Sequence, residues 1–181
     1  MSGPRFVPLT CPHCGDNLFG RAADPVACCP PCGTAWLVTG PEPVPLRTLA
    51  VTLEPGERGG RRLSLPFWVS PGAAVPAFES ARPLTLARAA SRHADGWPAR
   101  PGIPDPPPLG ARLDPEAARR VAGLAGLEPR GAGWALLAVP ARLDGTRLHV
   151  AGLDLPCHAE DVSEAAALLA RLAERSAAAV R

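Results

Sequence analysis

Cys11-Pro12-His13-Cys14-Gly15 and Cys29-Pro30-Pro31-Cys32-Gly33 are the two stretches on which the reading of this chain turns. Each is a C-x-x-C-G turn, and a short polar run separates them. Two residues between cysteines bring both sulfurs round one tight turn, at the separation a tetrahedral ion requires when Zn–S is about 2.3 Å. The glycine after each second cysteine accepts positive φ, which lets backbone N–H groups point at the thiolates. The expectation is a zinc ribbon holding one structural Zn²⁺ on Cys11, Cys14, Cys29 and Cys32. Cys28 leaves an alternative open, because either Cys28 or Cys29 can partner Cys32; Cys29 repeats the two-residue spacing and the following glycine, and is taken as the ligand.

Outward from the knuckles, Asn17–Arg21 and Val26–Cys28 read as a short hairpin around Asp24-Pro25. Thr34–Val38 reads as the third ribbon strand, with Trp36 covering one side of the site. So small a unit has little apolar core. Metal binding, at about 10–16 kcal/mol apparent in small zinc modules, is expected to supply most of its folding free energy.

The rest of the 181 residues suggests an α+β protein: an N-terminal four-cysteine zinc ribbon, then a small β-rich domain with two or three helices. Residues 1–40 are assigned to the ribbon, 41–97 to a hairpin-rich segment, 98–110 to a proline-rich linker, and 111–181 to a helix, a hairpin and a C-terminal amphipathic helix. Leu46–Glu54 and Arg61–Ser70 alternate in strand fashion around a Pro55–Gly60 turn, which predicts a hairpin. Thr85 is a candidate cap for a helix ending near His93. Asp114-Pro115-Glu116 is a strong helix start. Trp134–Pro140 and Thr146–Ala151 predict a second hairpin turning at Asp144-Gly145. Asp161 and Glu164 form a capping box for a last helix with a stripe of Ala165, Leu168, Leu169, Leu172 and Ala173.

Leu65-Pro66-Phe67-Trp68 and Val75-Pro76-Ala77-Phe78 follow the two knuckles in order, and Val139-Pro140-Ala141 shares their pattern. Knuckles plus these segments resemble a group of uncharacterised bacterial zinc-ribbon proteins, over roughly residues 11–80. The resemblance implies the four-cysteine zinc site and a β-rich second half; it implies no activity.

A net charge of +2 supplies no strong field toward nucleic acid or membrane. The 19 basic residues are all arginine, since the chain has no lysine. No signal-peptide core precedes Thr10, and no apolar run reaches membrane-span length, so a cytoplasmic protein with metal-bound rather than disulfide-bonded cysteines is expected. An enzyme is not expected. Four paired thiolates leave a zinc ion no open position for substrate. Phosphate loops and H-E-x-x-H or G-x-S-x-G motifs are lacking. Cys157-His158, with His149 one hairpin strand away, is the one other thiol–imidazole grouping; His13 and His93 read as surface and helix-end residues. The reading that remains is a non-catalytic accessory or adaptor protein whose partner is another protein, with Phe67, Trp68 and Trp36 as candidate anchors. The alternative is a nucleic-acid-binding ribbon using Arg58, Arg61 and Arg62.

Overall fold

The computed structural model describes residues 10–20, 24–40, 42–53, 60–104, 108, 110–131, 133–153 and 157–162. The expected C-terminal helix and Arg58 of the Pro55–Gly60 turn lie outside these residues. The fold is α+β, with the cysteine cluster at the N-terminal end followed by a β-rich body.

Strands β1 (Val26–Cys29), β2 (Thr34–Leu37) and β3 (Val44–Leu46) form a small antiparallel sheet in that order. The third strand is thus the exit segment. Asn17 and Phe19 contribute only isolated bridges, to Thr10 and Cys28.

The larger sheet has seven strands: β4 (Thr48–Val51), β5 (Arg61–Ser70), β6 (Ala73–Pro76), β7 (Ala99–Pro101), β8 (Ala135–Asp144), β9 (Arg147–Val150) and β10 (Cys157–His158). The expected hairpin between Leu46–Glu54 and Arg61–Ser70 does not form. Instead β5 runs antiparallel to β8 along its whole length, from Arg61↔Leu143 to Val69↔Ala135, while β4 pairs with β8 in parallel. Two apolar strands joined by a turn need not pair with each other when a third strand can pair with both. β5 forms its hairpin with β6, through the Pro71-Gly72 turn. The β8–β9 hairpin forms at the expected Gly145, whose φ of 54° suits a tight primed turn.

Strand β8 is central and carries Pro140, which the lack of an N–H ordinarily forbids. Its second edge explains the exception. Residues Leu136–Ala138 face β4 and residues Ala141–Asp144 face β9, so Pro140 sits where one neighbour ends and the other begins. Pro66 has a similar account. Its carbonyl accepts from Ala77 N (2.9 Å), and the Ala77 carbonyl that a normal residue 66 would donate to is taken by Arg112 N (2.6 Å) and Leu113 N (3.0 Å). Pro76 points its missing donor off the free edge of β6, where Ser91 Oγ already serves Ala74 N at 2.8 Å.

Helix α1 (Pro83–His93) starts two residues before Thr85, with proline in its first turn and no side-chain cap. Helix α2 (Pro115–Leu124) starts as expected: Asp114 accepts from Ala117 N at 2.7 Å. Strands on either side of residues 98–110 share one sheet, and Ala99–Pro101 is itself an edge strand on β4.

Alternation along β5 divides the core in two. Leu65 and Phe67 face a cluster with Phe78, Leu86, Trp97, Leu137, Val139 and Val162. Trp68 faces the other way, into a cluster with Leu136, Val75, Ala118 and Ala122 that also contains Val26, Cys28 and Ala35 of the small sheet. The ribbon and α2 therefore cover the second face of the large sheet.

Candidate metal centre

Cys11 and Cys14 lie on the first knuckle; Cys29 ends β1 and Cys32 lies on the turn into β2. In each knuckle the glycine N–H closes on the carbonyl of the first cysteine: Gly15 N to Cys11 O at 2.8 Å, and Gly33 N to Cys29 O at 2.9 Å. Gly15 and Gly33 have φ of 80° and 69°, a left-handed conformation that side-chain-bearing residues resist. The chain reverses tightly enough to point both sulfurs inward.

The four sulfurs lie within 4.8 Å of one another. Cys11 and Cys32 are 3.6 Å apart, and Cys14 and Cys29 are 3.4 Å apart. A regular tetrahedron with Zn–S of about 2.3 Å has edges of about 3.8 Å, so the cluster has the size of a four-thiolate metal site. Backbone N–H groups of His13 and Cys14 point at Cys11 Sγ, that of Asp16 at Cys14, that of Cys32 at Cys29 and that of Thr34 at Cys32. Such donors offset thiolate charge and fix the ligands before metal enters.

The four thiols are not equivalent electrostatically. Burial pushes the Cys29 thiol up to about 12, while the Thr34 hydroxyl, 3.3 Å from Cys32 Sγ, leads the contacts that pull Cys32 down to about 5. One thiolate is ready at neutral pH, and another sulfur keeps its proton until a metal displaces it. Trp36 packs on Cys11 and Cys29 and shields them from water, as expected.

Cys28 and Cys29 are adjacent on β1 and so point to opposite faces. Cys29 joins the cluster. Cys28 sits in the core between ribbon and sheet, where desolvation first and the Asp24 carboxylate second push its thiol up to about 12. It is a buried apolar spacer. Beside it, Asp24 is buried and pairs with Arg112 at 3.5 Å, tying the ribbon to the lead-in of α2.

One expectation about the site residues is corrected. Phe67 and Trp68 are each 0% exposed, and Trp36 only 7%, so none offers a ring to a partner. The alternation on β5 is as expected, but both faces are covered, and Trp68 Nε1 donates to Leu113 O at 2.8 Å. Cys157 and His149 do not meet: Cys157 pairs with Leu148 and faces the core with it, which sends His149 to the opposite face.

A cleft of about 390 Å³ lies between Arg47, Leu49, Val69, Asp95 and Trp134. Its lining includes the Ser70 hydroxyl, which donates to Arg130 O at 2.9 Å. Among the described residues no helix is long and apolar enough to cross a membrane.

No protein-family model, curated protein or solved structure matches the chain. The likeness to zinc-ribbon proteins therefore rests on the four clustered cysteines.

Proposed function

We propose that the cluster holds one Zn²⁺ as a structural ion and that the protein is a non-catalytic accessory protein acting on a partner protein. The observation that carries the zinc reading is four thiols of tetrahedral size, shielded by Trp36 and supplied with backbone donors. Four soft ligands favour zinc over harder divalent ions and leave no position for a substrate or water. Six unpaired thiols fit a reducing compartment such as the cytoplasm. The reading takes its support from the ribbon's surface, where the apolar side chains of Phe19 and Val44 are 58% and 54% exposed.

Native mass spectrometry of the gently purified protein tests the metal: a mass increment of one zinc is expected, and a metal-free folded protein would overturn the reading. A photo-crosslinking residue placed at Phe19 tests the partner. One stoichiometric crosslinked protein, lost when Val44→Ser is added, is expected; only scattered products would remove the adaptor role.

A further inference from the structure

The register of the large sheet places three cationic or titratable side chains in one row. Arg62 lies opposite Arg142, and Arg142 lies opposite His149, across β5, β8 and β9. One row further toward the hairpin end, Asp144 faces Arg147, which in turn faces His158. All belong to the side of the strands opposite Leu143, Leu148 and Cys157, which are buried. Arg62, Arg147, His149 and His158 are exposed, and Arg142 is partly so. Asp144 is the one acid among these two rows.

Like charges directly opposite on neighbouring strands destabilise a sheet. Arg142 also has a buried Nε with no hydrogen-bond partner. Its stem lies against Gly60, where an added Cβ would come within 3.2 Å of Arg142 Cγ. A buried guanidinium N–H without an acceptor, held among further cations, has the chemistry of an incomplete anion site.

We infer that the Arg62–Arg142–His149 row, extended by Arg147 and His158, binds the sugar–phosphate backbone of a nucleic acid. This goes beyond the accessory role and does not depend on the metal. The groups lie on a flat surface with strands about 4.8 Å apart, so they are spread over more than one phosphate rather than converging on a single ion. None of the side chains in these rows is Phe, Tyr or Trp, so the large stacking platforms of single-strand binders are not present in them. Binding is through phosphates, sequence-independent, and steeply dependent on salt.

The test is fluorescence anisotropy of the full zinc-loaded chain with labelled oligothymidylate and with a duplex of the same length, between about 50 and about 200 mM salt. Both probes are expected to bind. The triple variant Arg62→Gln/Arg142→Gln/His149→Gln is expected to lose at least about tenfold in affinity and to flatten the slope of log K against log salt by about 2. A folded triple variant, checked by its melting temperature and zinc content, separates lost binding from lost folding. Arg119→Gln/Arg120→Gln, on α2, should bind as the wild type does. The inference is overturned if neither probe binds at the lowest salt, if the triple variant binds as tightly, or if polyglutamate displaces the probe at equal charge concentration, which would point to an acidic protein instead.

Discussion

The cysteine ribbon and the seven-stranded sheet cover their strands by different means. The sheet is held by side chains on both faces: Phe67 with Phe78 and Trp97 on one, Trp68 with α2 and the ribbon on the other. The ribbon has sulfur on one face and apolar contact on the other, and the boundary between the two passes between Cys28 and Cys29. One residue step separates the metal-ligating chemistry from the packing chemistry. The ribbon is therefore no free appendage. One face has the size of a metal site, the other packs on the large sheet, and the ribbon lies as a lid over Trp68.

The largest effect that separates the two regions should come from the metal. Chelation, or Cys14→Ser, should abolish hydrogen-exchange protection over β1 and β2, given about 10–16 kcal/mol of apparent binding free energy in comparable modules. It should also open Trp68 to aqueous quenchers. Protection that survives chelation would mean that packing on the sheet alone holds the ribbon. Trp68→Ala should cost about 3–5 kcal/mol in denaturant unfolding while the purified protein keeps its metal. Loss of metal in that variant would make ribbon and sheet one cooperative unit.

A smaller effect tests the electrostatic tie between the regions. Arg112→Met leaves the buried Asp24 carboxylate without its guanidinium and should cost about 2–3 kcal/mol; Arg112→Met/Asp24→Asn should recover most of it. Cys28→Ser buries a hydroxyl in an apolar contact and should cost about 1–2 kcal/mol, with Cys28→Ala close to neutral. Metal content should stay at one ion in both, and its loss would return Cys28 to the ligand set. The smallest effect lies at the far end of the sheet. The Asp161 carboxyl is held below its ordinary value by the His158 N–H first, with Arg82 adding to it. A depressed carboxyl stabilises the fold above its unfolded pKa and loses that contribution as pH falls through the folded value. Asp161→Asn should therefore lose a small contribution at neutrality, flatten the stability profile below about pH 4 and match the wild type in strong acid.

What was legible in the sequence was local. C-x-x-C-G turns, the Asp114-Pro115 cap and the Gly145 turn act within a few residues, and each appears where it was expected. Strand partnership was not legible. Leu46–Glu54 and Arg61–Ser70 have the alternation of a hairpin, but β8 pairs with both strands, and nothing near either one signals it. Phe67 and Trp68 failed as surface anchors for a related reason. Period-2 alternation says that they face opposite ways, and only the packing of Phe78, α1 and Trp97 over Phe67 and of the ribbon and α2 over Trp68 shows that neither way is open. The Arg62–Arg142–His149 row was hidden for the same cause, since its members lie far apart in sequence and meet only through register.

Strand β8 also sets an order of events. Without it, β5 has only its hairpin partner β6, and β4 only the short edge strand β7; β8 is the element that joins the two pairs and then receives β9. During synthesis the chain must therefore carry two separate strand pairs, each with an edge that β8 has yet to pair, until Ala135–Asp144 has left the ribosome. Closure comes late and between distant segments, the kind of step that is slow and exposed to misassociation. A chain cut short before Asp144 should thus accumulate as an aggregation-prone intermediate rather than as a smaller stable domain.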